Sequence, residues 1–236
     1  MYKKSRFKKS NTNTTSNPYF IFNPHSIQPC VASQDKLIYI TTIDPGIKNC
    51  AIRCSQYNPL TFKSKTILLC KVNFVHNDLL NCNTPGSQGL ETFYYCSIFN
   101  TLDQYKYYFI LSHYIAIESQ YYDNPPLLRM AQHIITYLMC NVRNQGHRPY
   151  IVELKSQLKT QMLGAPPKMD KPQRKKWAVQ AALYYLGYNN EPEMVEFISK
   201  QNKDDDFGDV VCYEQVMIKL IFNNIHQLPY PTLLKL

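Results

Sequence analysis

The sequence predicts an α/β domain built on a five-stranded mixed sheet covered by helices. Its 236 residues and 44% hydrophobic content are enough for one good core, so one large domain is expected rather than two. Three short apolar segments come first, with only turns between them. Apolar segments then alternate with helical patterns, and helical patterns close the chain. These observations together predict a meander extended into a mixed sheet.

The first three strands are predicted near residues 37–43, 50–54 and 66–75. Turn residues such as Asn58-Pro59 separate them, which favours antiparallel neighbours. Residues 77–89 are rich in Asn, Pro and Gly and predict a loop. Residues 90–111 then carry aromatic and aliphatic side chains at helical spacing, including Ile98 and Leu102. A helix is therefore expected to connect the meander to the fourth strand.

The fourth strand, 114–118, is nearly all apolar, which is typical of a central strand covered on both faces. Pro125-Pro126 predicts the start of a helix that runs to about Val142 and ends by Gly146. Residues 150–154 form the fifth strand, and 155–171 predict a basic loop. Helices are predicted at 172–186, 191–200 and 206–222. The resulting order of strands and helices is the order found in the RNase H-like fold.

The chain divides into an arm, a folded domain and a tail. Residues 1–34 are basic, rich in Ser, Thr and Asn, and contain no acidic residue, so we expect a flexible arm that touches phosphates. A mitochondrial targeting segment has a similar composition, and that alternative stays open. Residues 35–225 form the predicted domain, and 226–236 a C-terminal tail.

The charge and the cysteines limit the class of protein. The net charge of +9, from 26 Lys and Arg against 17 Asp and Glu, favours an anionic partner, and nucleic acid is the commonest one for a basic domain. A merely soluble basic protein is the plainer alternative. The eight cysteines show no C-x-x-C spacing, which indicates free thiols in a reducing intracellular compartment. No apolar run approaches the ~18 residues that span a bilayer, so no membrane partner is expected.

Four carboxylates are predicted to meet at one edge of the sheet. Asp44 ends the first strand before a Pro-Gly turn, and Glu118 ends the fourth. Asp206 and Asp209 are three residues apart at the start of the last helix, so both project from one face. Carboxylates hold Mg²⁺, and two such ions about 3.5 to 4 Å apart drive phosphodiester hydrolysis. The plainer interpretation is that Asp206 and Asp209 only cap the helix.

At these positions the sequence resembles the RuvC-like Holliday junction resolvases, especially those of poxviruses and related large DNA viruses, with the yeast mitochondrial resolvases as relatives. The resemblance covers about residues 37–222. It rests on Asp44 to Asn49 for the family's D-x-G-x-K-N element, on Glu118 to Gln120 for E-x-Q, and on Asp206 to Asp209 for the closing D-x-x-D. The basic helix start at 171–179 resembles a segment of the viral members. Asp204 and Asp205 leave the register of the last element open.

The resemblance implies a dimeric, Mg²⁺-dependent endonuclease, with Mn²⁺ as a substitute, that cuts four-way DNA junctions by paired symmetric nicks. Carried over by position, Asp44, Glu118, Asp206 and Asp209 are the metal-binding catalytic carboxylates, with two Mg²⁺ ions per site. The expected DNA-binding residues are Lys48, Gln120, Lys155, Lys159, Arg174, Lys175 and Lys176. The expected place of action is a viral DNA replication site, with the mitochondrion as the alternative.

Two other functions are compatible with the fold. A non-catalytic binder of junctions or other nucleic acid would share the basic surface, but four retained carboxylates argue against it. An actin-like ATPase would share the fold and the first turn, yet it needs a second glycine-containing phosphate loop. The chain has only seven glycines, and none supplies that repeat.

Overall fold

The computed structural model describes residues 37–74, 92–143, 149–201 and 204–222. The predicted N-terminal arm, the loop at 77–89, the helix end at Gly146 and the C-terminal tail lie outside the described residues. Among the helices that are described, none has the length and apolar character needed to cross a membrane.

The predicted five-stranded mixed sheet is confirmed. Its strands are β1 (Ile38–Asp44), β2 (Cys50–Asn58), β3 (Lys63–Val72), β4 (Tyr114–Ser119) and β5 (Tyr150–Lys155), in the spatial order β3-β2-β1-β4-β5. The first three strands form an antiparallel meander, whereas β4 is parallel to both β1 and β5. The meander, followed by two parallel strands on the far side of β1, gives the RNase H-like order.

Seven α-helices are described: α1 (Thr92–Asp103), α2 (Lys106–Leu111), α3 (Pro125–Tyr137), α4 (Gln157–Met162), α5 (Lys171–Tyr188), α6 (Pro192–Ser199) and α7 (Asp205–Ile221). Pro125 and Pro126 begin α3 as predicted, and the helix ends in a π-helical turn at Leu138–Val142. A capping box between Asp170 and Gln173 fixes the start of α5: the Gln173 amide donates to Asp170 at 2.8 Å, and the Asp170 amide donates to the Gln173 side chain at 2.9 Å.

Four elements differ from the sequence prediction by more than two residues. Strand β2 continues to Asn58, beyond the predicted end at residue 54. The single helix expected over 90–111 is two helices, because the chain turns at Gln104 and Tyr105. Strand β3 begins at Lys63 and ends at Val72, since its polar first residues pair with β2 at the sheet edge. The segment 155–171, predicted to be a loop, contains the short helix α4. That helix brings Lys159 to the sheet.

Two cores cover the two faces of the sheet. Side chains alternate along each strand, so Ile38 and Ile40 of β1 face the core formed with α5, α6 and α7. Ile43 faces the opposite core, which α1, α2 and α3 complete. Asp44 has the same parity as Ile40, and it therefore points toward the helical layer that contains α7.

Helix α7 packs closely against both the sheet and α5. The Thr42 hydroxyl donates a hydrogen bond to the Val210 carbonyl at 2.8 Å, joining β1 to the first turns of the helix. A Cβ atom at Gly208 would lie 3.0 Å from the Val179 amide nitrogen of α5, so this position tolerates only glycine without a shift. The close approach sets the position of Asp209, the next residue.

A buried ion pair ties the same helix to β2. Arg53 and Glu214 are both fully buried, and their side chains form a salt bridge. The Arg53 guanidinium also donates to the Thr66 hydroxyl at 3.0 Å, and the Ser55 hydroxyl donates to the Glu214 carboxylate. Burial lowers the pKa of Arg53 to about 10, which leaves the side chain charged at neutral pH.

Candidate functional site

Asp44 and Glu118 are neighbours at one end of the sheet. The parallel register pairs Ile43 with Ile117, so the next residue on each strand is a carboxylate. Paired residues of parallel strands point to the same face, and here that face is covered by α7. The two carboxyl groups are close enough for each to shift the pKa of the other. Strand order and register thus bring together two acids that are 74 residues apart in sequence.

Helix α7 adds Asp209 and Tyr213, which lie four residues apart on one helix face. The Tyr213 hydroxyl donates to Glu118 Oε1 at 2.7 Å. Helix α4 supplies Lys159, whose Nζ lies 2.6 Å from Asp209 Oδ1. Carboxylates from β1, β4 and α7 therefore all act electrostatically on one lysine from the segment after β5, and Asp209 contacts it directly.

The carboxylate pKa values reflect this crowding. Burial, followed by the nearby charge of Glu118, raises the pKa of Asp44 well above its usual range. Burial also raises the pKa of Asp209 to about 6, although the Lys159 ammonium opposes that shift. Burial would raise the pKa of Glu118 too, but hydrogen bonding with Asp44 and the charge of Lys159 outweigh it and lower this pKa. The cluster thus carries more negative charge than one lysine balances.

The donor set suits a hard divalent cation, because carboxylate oxygens are the ligands that Mg²⁺ prefers. Burial raises the pKa values of Asp44 and Asp209, so a bound cation would favour their ionised forms. Within the part of the chain that the structure describes, no three acidic, His or Cys side chains already surround a single point. The Lys159 ammonium instead provides the local positive charge, attracted by Asp209, Glu118 and Asp44. Binding of a cation would therefore require side-chain rotations around Lys159.

Asp206, the fourth predicted carboxylate, is oriented differently. Its Oδ2 lies 3.0 Å from Lys71 Nζ of β3, and that ammonium also sits 4.5 Å from the centroid of the Phe207 ring. Asp205 forms an ion pair with Lys175 of α5. Asp206 stays the predicted ligand on the D-x-x-D spacing, and the structure gives it a lysine partner outside the cluster.

A basic groove of about 660 Å³ leads away from the cluster. Asp209 and Lys159 lie at one end, and the wall continues along the segment after β5 to the start of α5. Five cationic side chains line the groove: Lys159, Lys168, Lys171, Arg174 and Lys175. Asp209 is the one acidic residue in this lining among the described residues. The groove therefore presents positive charge beside the carboxylates.

The remaining predicted DNA-binding residues are placed as follows. Gln120 adjoins the cluster, with its amide nitrogen 3.5 Å from Glu118 Oε2. Lys48 is exposed in the turn after β1, and Lys155 is exposed at the end of β5. Lys176 is exposed on α5 and lines a separate depression with Asp204 and Asp205. These three lysines do not line the groove.

Tyr213 was missed by sequence reasoning, although its i+4 spacing from Asp209 was a usable signal. Lys168 and Lys171 were also missed as groove residues, because the path of the 155–171 segment is not readable from composition. Lys71 gave no signal, since its contact with Asp206 depends on how α7 crosses the sheet.

The chain was compared with family models and with known proteins. No family model matches the chain. A curated relative, the uncharacterized protein 97L of Invertebrate iridescent virus 3, is 28% identical over 123 residues, which is 52% of this chain and 56% of the relative. The match thus spans little more than half the length of that relative.

Several solved structures are similar to the chain. The fowlpox virus Holliday junction resolvase matches with a TM-score of 0.49 and 14% identity, over 77% of this chain and 98% of the resolvase. RuvC of T. thermophilus, in complex with Holliday junction substrate, matches with a TM-score of 0.48 and 13% identity, over 78% and 96% of the two chains. The yeast mitochondrial Holliday junction resolvase matches with a TM-score of 0.41 and 15% identity, over 78% and 83%. The strand order described above assigns the chain to the RNase H-like fold class.

Proposed function

We propose that the protein is an Mg²⁺-dependent endonuclease that resolves four-way DNA junctions. The observation that carries this proposal is the meeting of Asp44, Glu118 and Asp209 around Lys159, at the end of a groove lined by cations. The spacing of the matching sequence elements, which resembles that of the junction resolvases, supports the substrate class. The proposed place of action is viral DNA replication, and the viral origin of the matched relative is consistent with it.

In this proposal each group has a defined task. Asp44, Glu118 and Asp209, joined by Asp206, hold two Mg²⁺ ions, with Mn²⁺ as a substitute. Bound there, such ions supply an activated water and charge stabilisation for the leaving 3′ oxygen. Lys159, which pairs with Asp209, balances the carboxylate charge and would contact the phosphate being cut. The groove cations bind the flanking backbone without reading its sequence.

We further propose that the protein acts as a homodimer. A four-way junction offers two equivalent strands, and two symmetric copies of one site match that symmetry. Each copy would nick one strand, so that the paired nicks release two duplexes. The proposed exposed lysines, Lys48, Lys155 and Lys176, would contact the arms outside the groove.

A non-catalytic junction binder on the same fold is not favoured. Gathering carboxylates in a buried cluster is unfavourable, as the raised pKa values of Asp44 and Asp209 indicate. Binding of DNA phosphates would be strengthened by removing these charges. Their presence beside the basic groove is explained by metal binding, and pure DNA binding gives no reason for it.

The test compares the wild-type protein with Asp44→Asn on a synthetic four-way junction, a duplex and a flap. Wild-type protein with Mg²⁺ is expected to cut the junction in preference to the others. The cleavage rate of the variant is expected to fall more than about 100-fold. Substituting a residue that only supports a metal ligand lowers activity about 10- to 100-fold, and losing a ligand itself should cost more. Its junction binding in Ca²⁺ or chelator should persist.

A matched control is Asp103→Asn. Asp103 is an exposed aspartate that accepts a hydrogen bond from the Tyr137 hydroxyl at 2.6 Å, and it belongs to the opposite helical layer. This variant is expected to cut at the wild-type rate. Cleavage that survives Asp44→Asn would remove Asp44 from the mechanism, and absence of cleavage by the wild-type protein would favour the non-catalytic binder.

A further inference from the structure

Tyr213 contacts two members of the carboxylate cluster at once. Its hydroxyl donates to Glu118 Oε1 at 2.7 Å, while its ring lies 5.0 Å from the Lys159 ammonium. Tyr213 itself is 1% exposed, whereas Glu118 and Lys159 are half-buried. Because Tyr213 is on the same helix as Asp209, one rigid element carries a carboxylate and orients a second carboxylate and the lysine.

Few other groups interact with the Glu118 carboxylate as closely as the Tyr213 hydroxyl does. Asp44 shares a hydrogen bond with this carboxylate, and the Gln120 amide reaches Oε2 only at 3.5 Å, near the limit for a hydrogen bond. A charge-assisted bond at 2.7 Å is much stronger. A cation held by Asp44 and Glu118 would displace the bond between them, and Tyr213 would then be the principal group that fixes the Glu118 side chain.

We infer that Tyr213 is a positioning residue that sets the orientation of Glu118 for metal binding and that of Lys159 beside Asp209. This inference rests on the proposed function and deepens it, because it names a residue outside the metal ligands that determines metal affinity. Partners that orient a ligating carboxylate change metal affinity by about 10- to 100-fold when they are removed. The ring adds a separate effect, because an ammonium over an aromatic face is stabilised there.

The experiment uses Tyr213→Phe, which removes the hydroxyl and keeps the ring. Mn²⁺ binding to the DNA-free protein is measured by calorimetry and by electron paramagnetic resonance. We expect the dissociation constant to rise about 10- to 100-fold relative to the wild type. Cleavage at low Mg²⁺ should fall in parallel and should be restored by excess Mg²⁺, which loss of folding would not allow.

The chain offers a closely matched control in Tyr137→Phe. Tyr137 is also 1% exposed, and its hydroxyl also donates to a carboxylate, Asp103, at 2.6 Å. Tyr137 packs in the opposite core. Tyr137→Phe should therefore lower the melting temperature about as much as Tyr213→Phe does, and it should leave the Mn²⁺ affinity unchanged. Unchanged Mn²⁺ affinity in Tyr213→Phe, or an equal loss in Tyr137→Phe, would overturn the role of the hydroxyl.

A second variant, Tyr213→Leu, removes the ring as well. Excess Mg²⁺ should restore its cleavage rate less completely than that of Tyr213→Phe, because Lys159 loses its aromatic support. Equal restoration in the two folded variants would overturn the role of the ring. Failure of these outcomes in a wild-type protein that binds Mn²⁺ and cuts junctions refutes the inference alone, whereas a wild-type protein that does neither refutes the proposed function and the inference with it.

Discussion

At the scale of single residues, gathering the carboxylates of Asp44, Glu118 and Asp209 costs stability when no cation is bound. Asp44 and Asp209 have carboxyl pKa values above their usual range because they are buried close to other carboxylates. A raised folded-state pKa means that stability is fully present below the unfolded pKa. That stability is lost as the pH rises through the folded value, which for Asp209 is about 6.

Asp44→Asn is therefore expected to stabilise the metal-free protein. Asparagine keeps a hydrogen-bond donor toward Glu118 and removes a buried ionisable carboxyl. In chelator at pH 8 we expect a rise in melting temperature of about 2 to 4 °C, the shift that corresponds to roughly 1 kcal/mol in a domain of this size. At pH 4 the gain should shrink, since Asp44 and Asp209, whose pKa values are raised, are then protonated in the wild type. If Asp44→Asn melts at a lower temperature than the wild type at pH 8, the Asp44 carboxyl does not destabilise the metal-free protein.

The register of the closing D-x-x-D element is a second question at this scale. Asp206 pairs with Lys71 at 3.0 Å, and Asp205 pairs with Lys175. From the three-residue spacing to Asp209 we predict that Asp206→Asn abolishes junction cleavage, whereas Asp205→Asn reduces it less than about tenfold. Single-turnover rates at saturating Mg²⁺ measure both. The opposite ranking would show that Asp205 is the ligand and that Asp206 only pairs with Lys71.

At the scale of elements, the buried pair of Arg53 and Glu214 fixes α7 on β2. Without the Glu214 charge, the buried Arg53 guanidinium keeps only the Glu191 carboxylate, at 3.6 Å. Breaking a buried ion pair in this way costs about 3 to 5 kcal/mol. Glu214→Gln should therefore lower the free energy of unfolding in urea by several kcal/mol. Replacing both residues by apolar ones of similar size, as in Arg53→Met with Glu214→Leu, should recover much of that loss. Equal stability of the wild type and Glu214→Gln would contradict the role of the pair.

The elements also show what the sequence can and cannot predict. Asp44 and Glu118 were predictable because each ends an apolar strand, and parallel neighbours end at the same edge. Arg53 and Glu214 were not, since a charged side chain in an apolar strand gives no indication of its partner. Lys159 was assigned to phosphate contacts because its segment is basic; its place among the carboxylates depends on α4, which the glycine and prolines of that segment concealed.

At the scale of the whole molecule, the chain has a net charge of +9, and part of its positive charge lies in the basic groove. Five cations line the groove that begins at Asp209. Arg174, exposed in that groove, is expected to contact a phosphate. Arg174→Gln should weaken junction binding and reduce the slope of log K against log salt by roughly 0.9, the value for one phosphate on duplex DNA.

Lys200→Gln is the matched control for the groove. Lys200 is exposed, pairs with Glu196 and does not line the groove. Its variant should keep both the affinity and the salt slope of the wild type. If Arg174→Gln has the same salt slope as the wild type, the DNA binds elsewhere on the molecule.

The central claim, cleavage of four-way junctions by two coordinated sites, is tested most directly with a supercoiled plasmid that extrudes a cruciform. Purified wild-type protein is incubated with this plasmid and Mg²⁺, and the products are separated by gel electrophoresis. Paired nicks across the junction convert the plasmid directly to a linear form with ligatable ends, and this is the predicted result. Accumulation of a nicked circle, or an unchanged plasmid, would contradict it.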